Sequence, residues 1–153
     1  MAILFLDSSG LVKRYVAETG STWVQALTAP SSGNALYMAR ITGAEMIAAI
    51  ARRQRRGATT LADAAAAVAA FRADFAQAYF PVDVTPDTVA RAMDMAERHG
   101  LRGYDAVQLA AALELRDGCR RAGLPDPPII TADAELNAAA RAEGLPVDDP
   151  NNH

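Results

Sequence analysis

The pattern of apolar positions predicts a chain in which short buried strands alternate with amphipathic helices. Five short apolar runs have the length and composition of strands buried on both faces. They are residues 2–7 (AILFLD), 35–39 (ALYMA), 79–84 (YFPVDV), 127–131 (PPIIT) and 145–149 (LPVDD), of which the first is the clearest. Strands joined by helical crossovers form a mostly parallel sheet with helices on both faces. The pattern therefore predicts an α/β fold, specifically a three-layer α/β/α sandwich.

Helical periodicity fills the segments between these runs. The predicted helices cover residues 8–18, 21–29, 42 to about 56, 60 to about 78, 85–100, 104–123 and 133–144. Thr85 can cap its helix, Pro86 fits the first turn and Gly100 fits the C-terminal stop, so this helix has well-defined ends. The alanine-rich stretch 62–78 keeps larger apolar side chains at helical spacing, which indicates a packed helix rather than a linker.

Length and composition set limits on domain number and location. A chain of 153 residues can bury roughly two thirds of its unfolded surface, so we expect residues 1–153 to form a single domain. The opening MAILFLDSSG lacks the basic start of a signal peptide, and no apolar run approaches the roughly 20 residues of a membrane span. The single cysteine, Cys119, cannot form an internal disulfide, and we interpret it as an inert thiol. These features predict a cytoplasmic protein without a membrane partner.

A carboxylate interrupts the otherwise small and apolar run 41–51, ITGAEMIAAIA. An ionised side chain is rarely buried alone, because the loss of its hydration costs more than packing returns. Thr42 precedes Glu45 by three residues, which is the spacing of a capping box, in which each side chain bonds the backbone N–H of the other residue. On spacing alone, this local interpretation of Glu45 is the preferred one.

Three further carboxylates stand where parallel strands end or helices begin. In open α/β sheets, ligands bind beyond the carboxyl ends of the strands. Asp7 ends the first apolar run, Asp133 follows the run PPIIT, and Asp105 opens the helix YDAVQLAAAL. Each has a local interpretation, as a turn or cap residue or as an anion at a helix N-terminus. Taken singly, none of them requires a ligand.

Taken together, the four carboxylates form a candidate site, because each begins a helix near an inward face. They are Asp7, Glu45, Asp105 and Asp133. Two like charges about 4 Å apart repel by about 4 kcal/mol at an effective dielectric near 20, whereas helix N-termini offset only about 0.3–1 kcal/mol each. A divalent cation would balance such a cluster. An all-oxygen set without His or Cys favours Mg²⁺ or Mn²⁺ over zinc and suits metal-assisted phosphoryl chemistry.

Four segments, in their order and spacing, resemble a known family. The segments are FLDSSGLVKRYVAETGS, ITGAEMIAAI, LRGYDAVQLAAAL and IITADAELNAAA. Together they resemble the PIN-domain ribonucleases, specifically the VapC-like toxins of bacterial toxin–antitoxin pairs, over residues 2 to about 149. The resemblance implies a magnesium- or manganese-dependent endoribonuclease toxin with an α/β/α fold, and it assigns the catalytic and metal-binding roles to the same four carboxylates.

The resemblance also implies individual roles and partners. Asp7 and Asp105 would be the principal metal ligands, and the hydroxyls of Ser8 or Ser9 and of Thr131 would lie near the metal or position water. The substrates of the family are structured RNAs, often transfer RNA, and a cognate VapB-like antitoxin commonly occupies the groove beside the acidic site. The resemblance does not select the RNA that is cut. A homodimer is a further candidate assembly, since one chain carries no information on symmetry.

Charged residues outside the acidic set have two interpretations each. The segment ARRQRRG contains Arg52, Arg53, Arg55 and Arg56 near the end of a predicted helix. We prefer to interpret them as a solvated helix end that complements the helix dipole, and the alternative is a patch that binds RNA phosphates. The net charge of −3 excludes a uniformly basic surface but leaves room for such a patch. Glu18 matches a recurrent family position, and we assign it a structural role at a helix end.

Two other functions compete with the nuclease. A response-receiver-like domain also gathers aspartates at strand ends, but it needs a lysine late in the chain. The only lysine here is Lys13, which disfavours this function. A noncatalytic RNA- or protein-binding module that retains the PIN-like fold, with its carboxylates serving as caps, stays open as the alternative.

Overall fold

The computed structural model describes all residues from Met1 to His153 and contains one five-stranded sheet. The strands are β1 (Ile3–Leu6), β2 (Ala35–Ala39), β3 (Phe80–Val82), β4 (Ile129–Ile130) and β5 (Val147–Asp148). Their order is β3-β2-β1-β4-β5, and every neighbouring pair is parallel. Each of the five predicted runs therefore contains a strand, and the predicted α/β fold class is confirmed.

Seven α-helices connect or follow the strands. They are α1 (Ser8–Leu11), α2 (Ser21–Thr28), α3 (Thr42–Arg55), α4 (Leu61–Gln77), α5 (Pro86–His99), α6 (Gly103–Arg121) and α7 (Ala134–Ala142). The helix predicted over 8–18 is much shorter, because a 3-10 turn (Val12–Arg14) follows α1 at once. Lys13 Nζ donates to the carbonyl oxygen of Thr19 at 2.7 Å, which stabilises this turn. None of the helices combines the length and apolar character of a membrane span.

Alternation along the strands separates the helices into two outer layers. Successive strand side chains point to opposite faces of a sheet, and Phe5 accordingly faces one core while Leu4 and Leu6 face the other. The first core contains 16 buried residues from the sheet, α5, α6, α7 and adjoining loops. The second contains 10, contributed by the sheet, α1, α3, α4 and adjoining loops. The predicted three-layer α/β/α arrangement follows directly from this partition.

The strand order positions a crevice between β1 and β4. The chain passes outward from β1 to β2 and β3 and then crosses to β4, on the opposite side of β1. A parallel sheet leaves an opening at the carboxyl ends of its strands where the order reverses in this way. At this point α1 packs closely against β4: a Cβ added to Gly10 would lie 2.4 Å from the carbonyl oxygen of Ile130. Only glycine fits such an approach.

Candidate active site

An open cleft of about 500 Å³ lies at the carboxyl ends of β1 and β4. All four predicted carboxylates line it, namely Asp7, Glu45, Asp105 and Asp133. Ser8, Ser9, Ile41, Ala44, Ala48, Ala49, Arg52, Arg102 and Tyr104 complete the lining. We call this opening the acidic cleft. Residues from distant parts of the chain therefore share one solvent-accessible space.

Asp7 is the most buried of these carboxylates, with 3% of its surface exposed. It caps α1: its Oδ1 accepts from the backbone N–H of Gly10 at 2.9 Å. The hydroxyl of Ser9 donates to both oxygens of Asp7, at 2.8 Å to Oδ1 and 2.9 Å to Oδ2. Burial nevertheless raises the pKa of Asp7 to about 7, against these hydrogen bonds, which lower it. A nearby positive charge would restore the ionised form.

Ser9 and Thr131 connect the ends of β1 and β4. The hydroxyl of Ser9 lies 3.2 Å from that of Thr131, and it accepts from the backbone N–H of Ala132 at 2.9 Å. Thr131 Oγ1 in turn accepts from the backbone N–H of Asp133 at 3.1 Å. These bonds hold the loop after β4 against Asp7. The two hydroxyls thereby fix the relative positions of the aspartates that follow the two strands.

Asp133 itself caps α7, as its local interpretation predicted. Its Oδ1 accepts from the backbone N–H of Leu136 at 2.8 Å. The second carboxylate oxygen is not used by the cap, and Asp133 is only half-buried at the rim of the acidic cleft. Capping and participation in a site are therefore compatible for this residue.

The capping box predicted for Thr42 and Glu45 is wrong. The N-cap of α3 is Ile41, and no side chain caps this helix. Thr42 is fully buried and accepts instead from Gln108 Nε2 of α6 at 2.8 Å, and the same amide lies 3.3 Å from Glu45 Oε2. The packing of α6 against α3 offers these side chains a partner outside their own helix, and this partner replaces the local bonds.

Glu45 is left partly unsatisfied by this arrangement. Its Oε1 is buried and has no hydrogen-bond partner. Burial raises the pKa of Glu45 and outweighs the opposing effects of Ser8, Gln108 and the positive charge of Arg52. A buried carboxylate oxygen without a donor or cation is unfavourable. Glu45 is therefore the residue of the cleft that most clearly lacks a ligand.

Asp105 lies in the first turn of α6, which begins at Gly103 and has Arg102 as its N-cap. Burial raises the pKa of Asp105, and the negative charges of Asp133 and Glu45 raise it further. Arg102 acts in the opposite direction. The pKa of Asp105 is therefore raised by carboxylates from α3 and from the start of α7 across the cleft.

This donor set fits a hard divalent cation. Three of the carboxylates have a raised pKa, Glu45 has an orphaned oxygen, and every candidate ligand is an oxygen. As the side chains are placed, no three of them are close enough to hold one ion directly. Magnesium keeps several waters and needs few direct protein ligands. The cleft thus suits an ion bound by one or two carboxylates, with the others acting through water.

Sequence reasoning missed Gln108, which contacts Glu45 from behind the cleft, and Arg102, which lines the cleft. Gln108 is 1% exposed, and its amide joins Thr42 and Glu45 from the opposite helix. The signal was a polar side chain inside the apolar run AVQLAAAL, where an amide requires a buried partner. Arg102 gave no comparable signal, because an exposed arginine before a helix is ordinary.

Three residues considered for other roles lie outside the acidic cleft. Lys13 Nζ contacts Glu18 Oε1 at 3.1 Å, and Glu18 also pairs with Arg53 of α3. Glu18 therefore joins the turn after α1 to α3, in keeping with a structural role, and Lys13 is engaged away from the aspartates. Cys119 is buried near the end of α6, where burial raises the pKa of its thiol. An un-ionised thiol is unreactive, which agrees with its predicted inertness.

Comparison with known sequences gives one family match and close relatives. The PIN domain family model matches residues 4–142. Ribonuclease VapC45 from Mycobacterium tuberculosis strain CDC 1551 / Oshkosh is 33% identical over 149 residues, covering 96% of this chain and 95% of the relative. Ribonuclease VapC49 from Mycobacterium tuberculosis strain H37Rv has the same identity and coverage.

Solved structures share the fold at lower sequence identity. PAE2754 from Pyrobaculum aerophilum has a TM-score of 0.63 and 18% identity, covering 99% of this chain and 91% of that one. VapBC2 from Rickettsia felis, whose crystal structure is bound to a DNA fragment from the VapBC2 promoter, has a TM-score of 0.61 and 12% identity. The match covers 96% of this chain and 98% of that one. A toxin–antitoxin complex from Klebsiella pneumoniae has a TM-score of 0.57 and 17% identity, covering 96% and 97%. At these identities the structures support the fold alone.

Proposed function

Because the chain belongs to the PIN domain family, we propose that it is an endoribonuclease toxin that hydrolyses RNA phosphodiester bonds with Mg²⁺ or Mn²⁺ and is inhibited by a cognate antitoxin. Two relatives that match almost the whole chain are named ribonucleases. The observation that carries the proposal is the meeting of four carboxylates in one cleft, where burial and mutual repulsion call for a cation.

The four carboxylates have different tasks in this proposal. Asp7 and Asp105 are the principal ligands of the cation, while Glu45 and Asp133 bind it directly or through water. A bound Mg²⁺ or Mn²⁺ would supply charge stabilisation on a phosphate oxygen and a water of lowered pKa. Hydrogen bonds hold two of these carboxylates in place. Ser9 of α1 donates to Asp7, and Gln108 of α6 contacts Glu45.

Metal-dependent cleavage of RNA tests the proposal. Purified protein is incubated with a total RNA pool that includes transfer RNA, with Mg²⁺, with Mn²⁺ and with a chelator, and the cut ends are mapped. We expect cleavage with either metal, and a loss of about 100-fold or more in Asp105→Asn, because the variant lacks a principal ligand of the cation that stabilises charge on the reacting phosphate. Retention of the parental rate in the chelator or in Asp105→Asn would contradict the proposal.

A matched control is available in α5. Asp87 stands in the first turn of that helix, is exposed, and does not line the acidic cleft. Asp87→Asn removes the same charge from an equivalent helical position. We expect it to cleave RNA at the parental rate, so that a loss of activity in Asp105→Asn reports on the cleft rather than on helix stability.

The alternative is a noncatalytic binding module, which the capping bonds of Asp7 and Asp133 favour. Glu45→Gln separates the two functions, because glutamine keeps the shape of the side chain but is a poor ligand for a hard cation. A nuclease would remain folded and lose nearly all cleavage. A binding module would bind RNA equally well with either residue, and the parental protein would not cleave RNA in any metal.

An apolar groove beside the acidic cleft supports the antitoxin partner. The groove has a volume of about 470 Å³, lies between α5 and α6, and shares Ile41 and Tyr104 with the acidic cleft. Met93 and Tyr104 are 68% and 63% exposed there. Exposed apolar side chains in a groove between helices are typical of a surface that binds the apolar face of a partner helix. An antitoxin bound there would reach the edge of the candidate site.

Co-expression tests this partner. The small protein encoded beside this one is produced with it, and the complex is isolated through a tag on one component. We expect Met93→Arg to abolish the complex, whereas Leu61→Arg, at a 72% exposed position of α4, preserves it. A complex that survives Met93→Arg would contradict the groove assignment. Light scattering on the isolated chain tests the homodimer, and a monomeric mass would exclude it.

A further inference from the structure

A second, basic cleft lies next to the acidic one. It has a volume of about 310 Å³ and is lined by Ser8, Ser9, Val12, Ala49, Arg52, Arg53 and Arg56. We call it the basic cleft. It contains three of the four arginines of ARRQRRG and no carboxylate. Of this cluster, only Arg55 lies outside both clefts.

Ion pairing divides these arginines into two kinds. Arg53 pairs with Glu18, which also contacts Lys13, so its charge is already balanced within the protein. Arg52, Arg55 and Arg56 are exposed and take part in no ion pair. Within the basic cleft, Arg52 and Arg56 are therefore the two cations whose charge is available to a ligand.

The basic and acidic clefts are continuous. They share four lining residues, Ser8, Ser9, Ala49 and Arg52. Glu45, Ala49 and Arg52 of α3 and its C-cap residue Arg56 follow one another at intervals of three or four residues, so they lie on the same face of the helix. At 1.5 Å per residue, Arg52 is roughly 10 Å and Arg56 roughly 16 Å along the helix from Glu45. A ligand in the acidic cleft can thus extend directly over both arginines.

The charge of the ligand follows from this arrangement. The basic cleft offers guanidinium groups, which are donors, and it lacks an anionic side chain. Guanidinium groups bind phosphate through paired donors. RNA that approaches the four carboxylates is repelled by them, so a neighbouring cationic surface is needed to retain the chain. A polyanion whose charges repeat along its length can place one phosphate in the basic cleft while a neighbouring part of the same strand extends into the acidic cleft.

We propose that Arg52 and Arg56 form a phosphate-binding subsite that holds the RNA backbone beside the bond cleaved in the acidic cleft. This subsite rests on the proposed ribonuclease function and extends it by naming the residues that bind the flanking phosphate. Arg53 has a different role, because its pairing with Glu18 fixes the wall of the basic cleft. Arg55 serves neither purpose.

Binding of a fluorescent single-stranded RNA tests the subsite without cleavage. The measurements use Asp105→Asn as the background and cover a series of salt concentrations. For single strands, the slope of log affinity against log salt changes by about 0.7 for each phosphate contact. We expect Arg52→Gln with Arg56→Gln to weaken binding at least tenfold at low salt and to reduce the slope by about 1.4. Arg55→Gln, which removes the same charge from the same helix end, should leave the affinity within about twofold.

Steady-state kinetics of cleavage by single arginine variants show whether the subsite acts on RNA binding or on the chemical step. We expect Arg56→Gln to raise KM several-fold with little change in kcat, because this residue lies far along α3 from Glu45 and acts on binding. An equal loss in Arg55→Gln would show a diffuse charge effect and overturn the proposal. An unchanged salt slope in the double variant would also overturn it.

The outcomes separate this proposal from the function on which it rests. If the parental protein cleaves RNA and the double variant keeps the parental RNA affinity, the subsite is wrong and the ribonuclease stands. If the parental protein cleaves no RNA with either metal, the ribonuclease is wrong. In that case a loss of affinity in the double variant would still support phosphate binding by Arg52 and Arg56, although not beside a cleaved bond, and an unchanged affinity would overturn it.

Discussion

The buried carboxylate of Asp7 opposes stability when it is ionised, and in the proposed site this charge would bind the cation. At the end of β1 only 3% of its surface is exposed, and its pKa is raised to about 7 although three hydrogen bonds favour the charged form. The environment of Asp7 is typical of a residue whose charge is balanced by a ligand.

This burial predicts a specific dependence of stability on pH in metal-free protein. The folded state binds the proton of Asp7 more tightly than the unfolded state, whose pKa is near 3.8. The contribution of Asp7 to stability is therefore present below about pH 4 and is lost as pH rises through about 7, by up to about 4 kcal/mol. We expect Asp7→Asn to equal the parental protein in stability at pH 4 and to exceed it at pH 8.

Denaturant unfolding in a chelator, at several pH values, measures this difference. The other carboxylates titrate in both proteins, so their contributions cancel in the comparison. A stability difference that does not vary between pH 4 and pH 8 would contradict the assigned burial of the charge. Addition of Mg²⁺ at pH 8 should stabilise the parental protein more than the variant, because only the parental protein presents the full ligand set.

At the scale of elements, the close packing of α1 on β4 positions the first aspartate. Gly10 lies on the buried side of α1, where an added Cβ would meet the backbone of Ile130 at 2.4 Å. The backbones of α1 and β4 cannot move apart as easily as a flexible side chain changes its rotamer. The short helix must therefore move away from the sheet if any other residue replaces this glycine.

We expect Gly10→Ala to lower the free energy of unfolding by about 1–3 kcal/mol or more, since it overpacks a contact between two backbones. Gly103→Ala is the matched control. Gly103 also lies in a helix, but an added Cβ there meets nothing within 4 Å, so alanine should be neutral or stabilising by up to about 1 kcal/mol. Urea unfolding of both variants measures the contrast, and equal effects would contradict the tight packing of α1.

At the scale of the whole molecule, Lys13 joins segments that are far apart in sequence. It is 4% exposed, and its Nζ contacts Glu18 Oε1 at 3.1 Å, the carbonyl oxygen of Thr19 at 2.7 Å and Asn151 Oδ1 at 2.9 Å. Through Glu18 the network extends to Arg53 of α3. The ammonium thus holds the turn after α1, the loop before α2 and the C-terminal residues together.

We expect Lys13→Met to destabilise the protein by roughly 3 kcal/mol, because it leaves buried acceptors without their cation. Arg40→Met provides the comparison. Arg40 pairs with Asp83, but the two side chains are 56% and 68% exposed, and such surface pairs contribute at most about 1 kcal/mol. Thermal or urea unfolding distinguishes the two, and a Lys13→Met variant as stable as Arg40→Met would contradict the structural role.

The sequence by itself determined the elements and most of their ends. The strand at 35–39 is found with the predicted bounds, and Thr85 caps α5 as expected, because these features depend on residues within one turn or one run. The alternation of these elements also determined the parallel sheet. Asp7 and Asp133 were recognisable as caps for the same reason, since each bonds an N–H three residues ahead.

Only the tertiary structure decided which residues meet. The spacing of Thr42 and Glu45 favoured a local bond, but the packing of α6 on α3 supplies Gln108, and the local bond is not made. The four arginines look alike in sequence, and Glu18, 35 residues from Arg53, neutralises only that one. Contacts of this kind depend on how the sheet and the two cores bring the helices together, and local sequence patterns do not determine that arrangement.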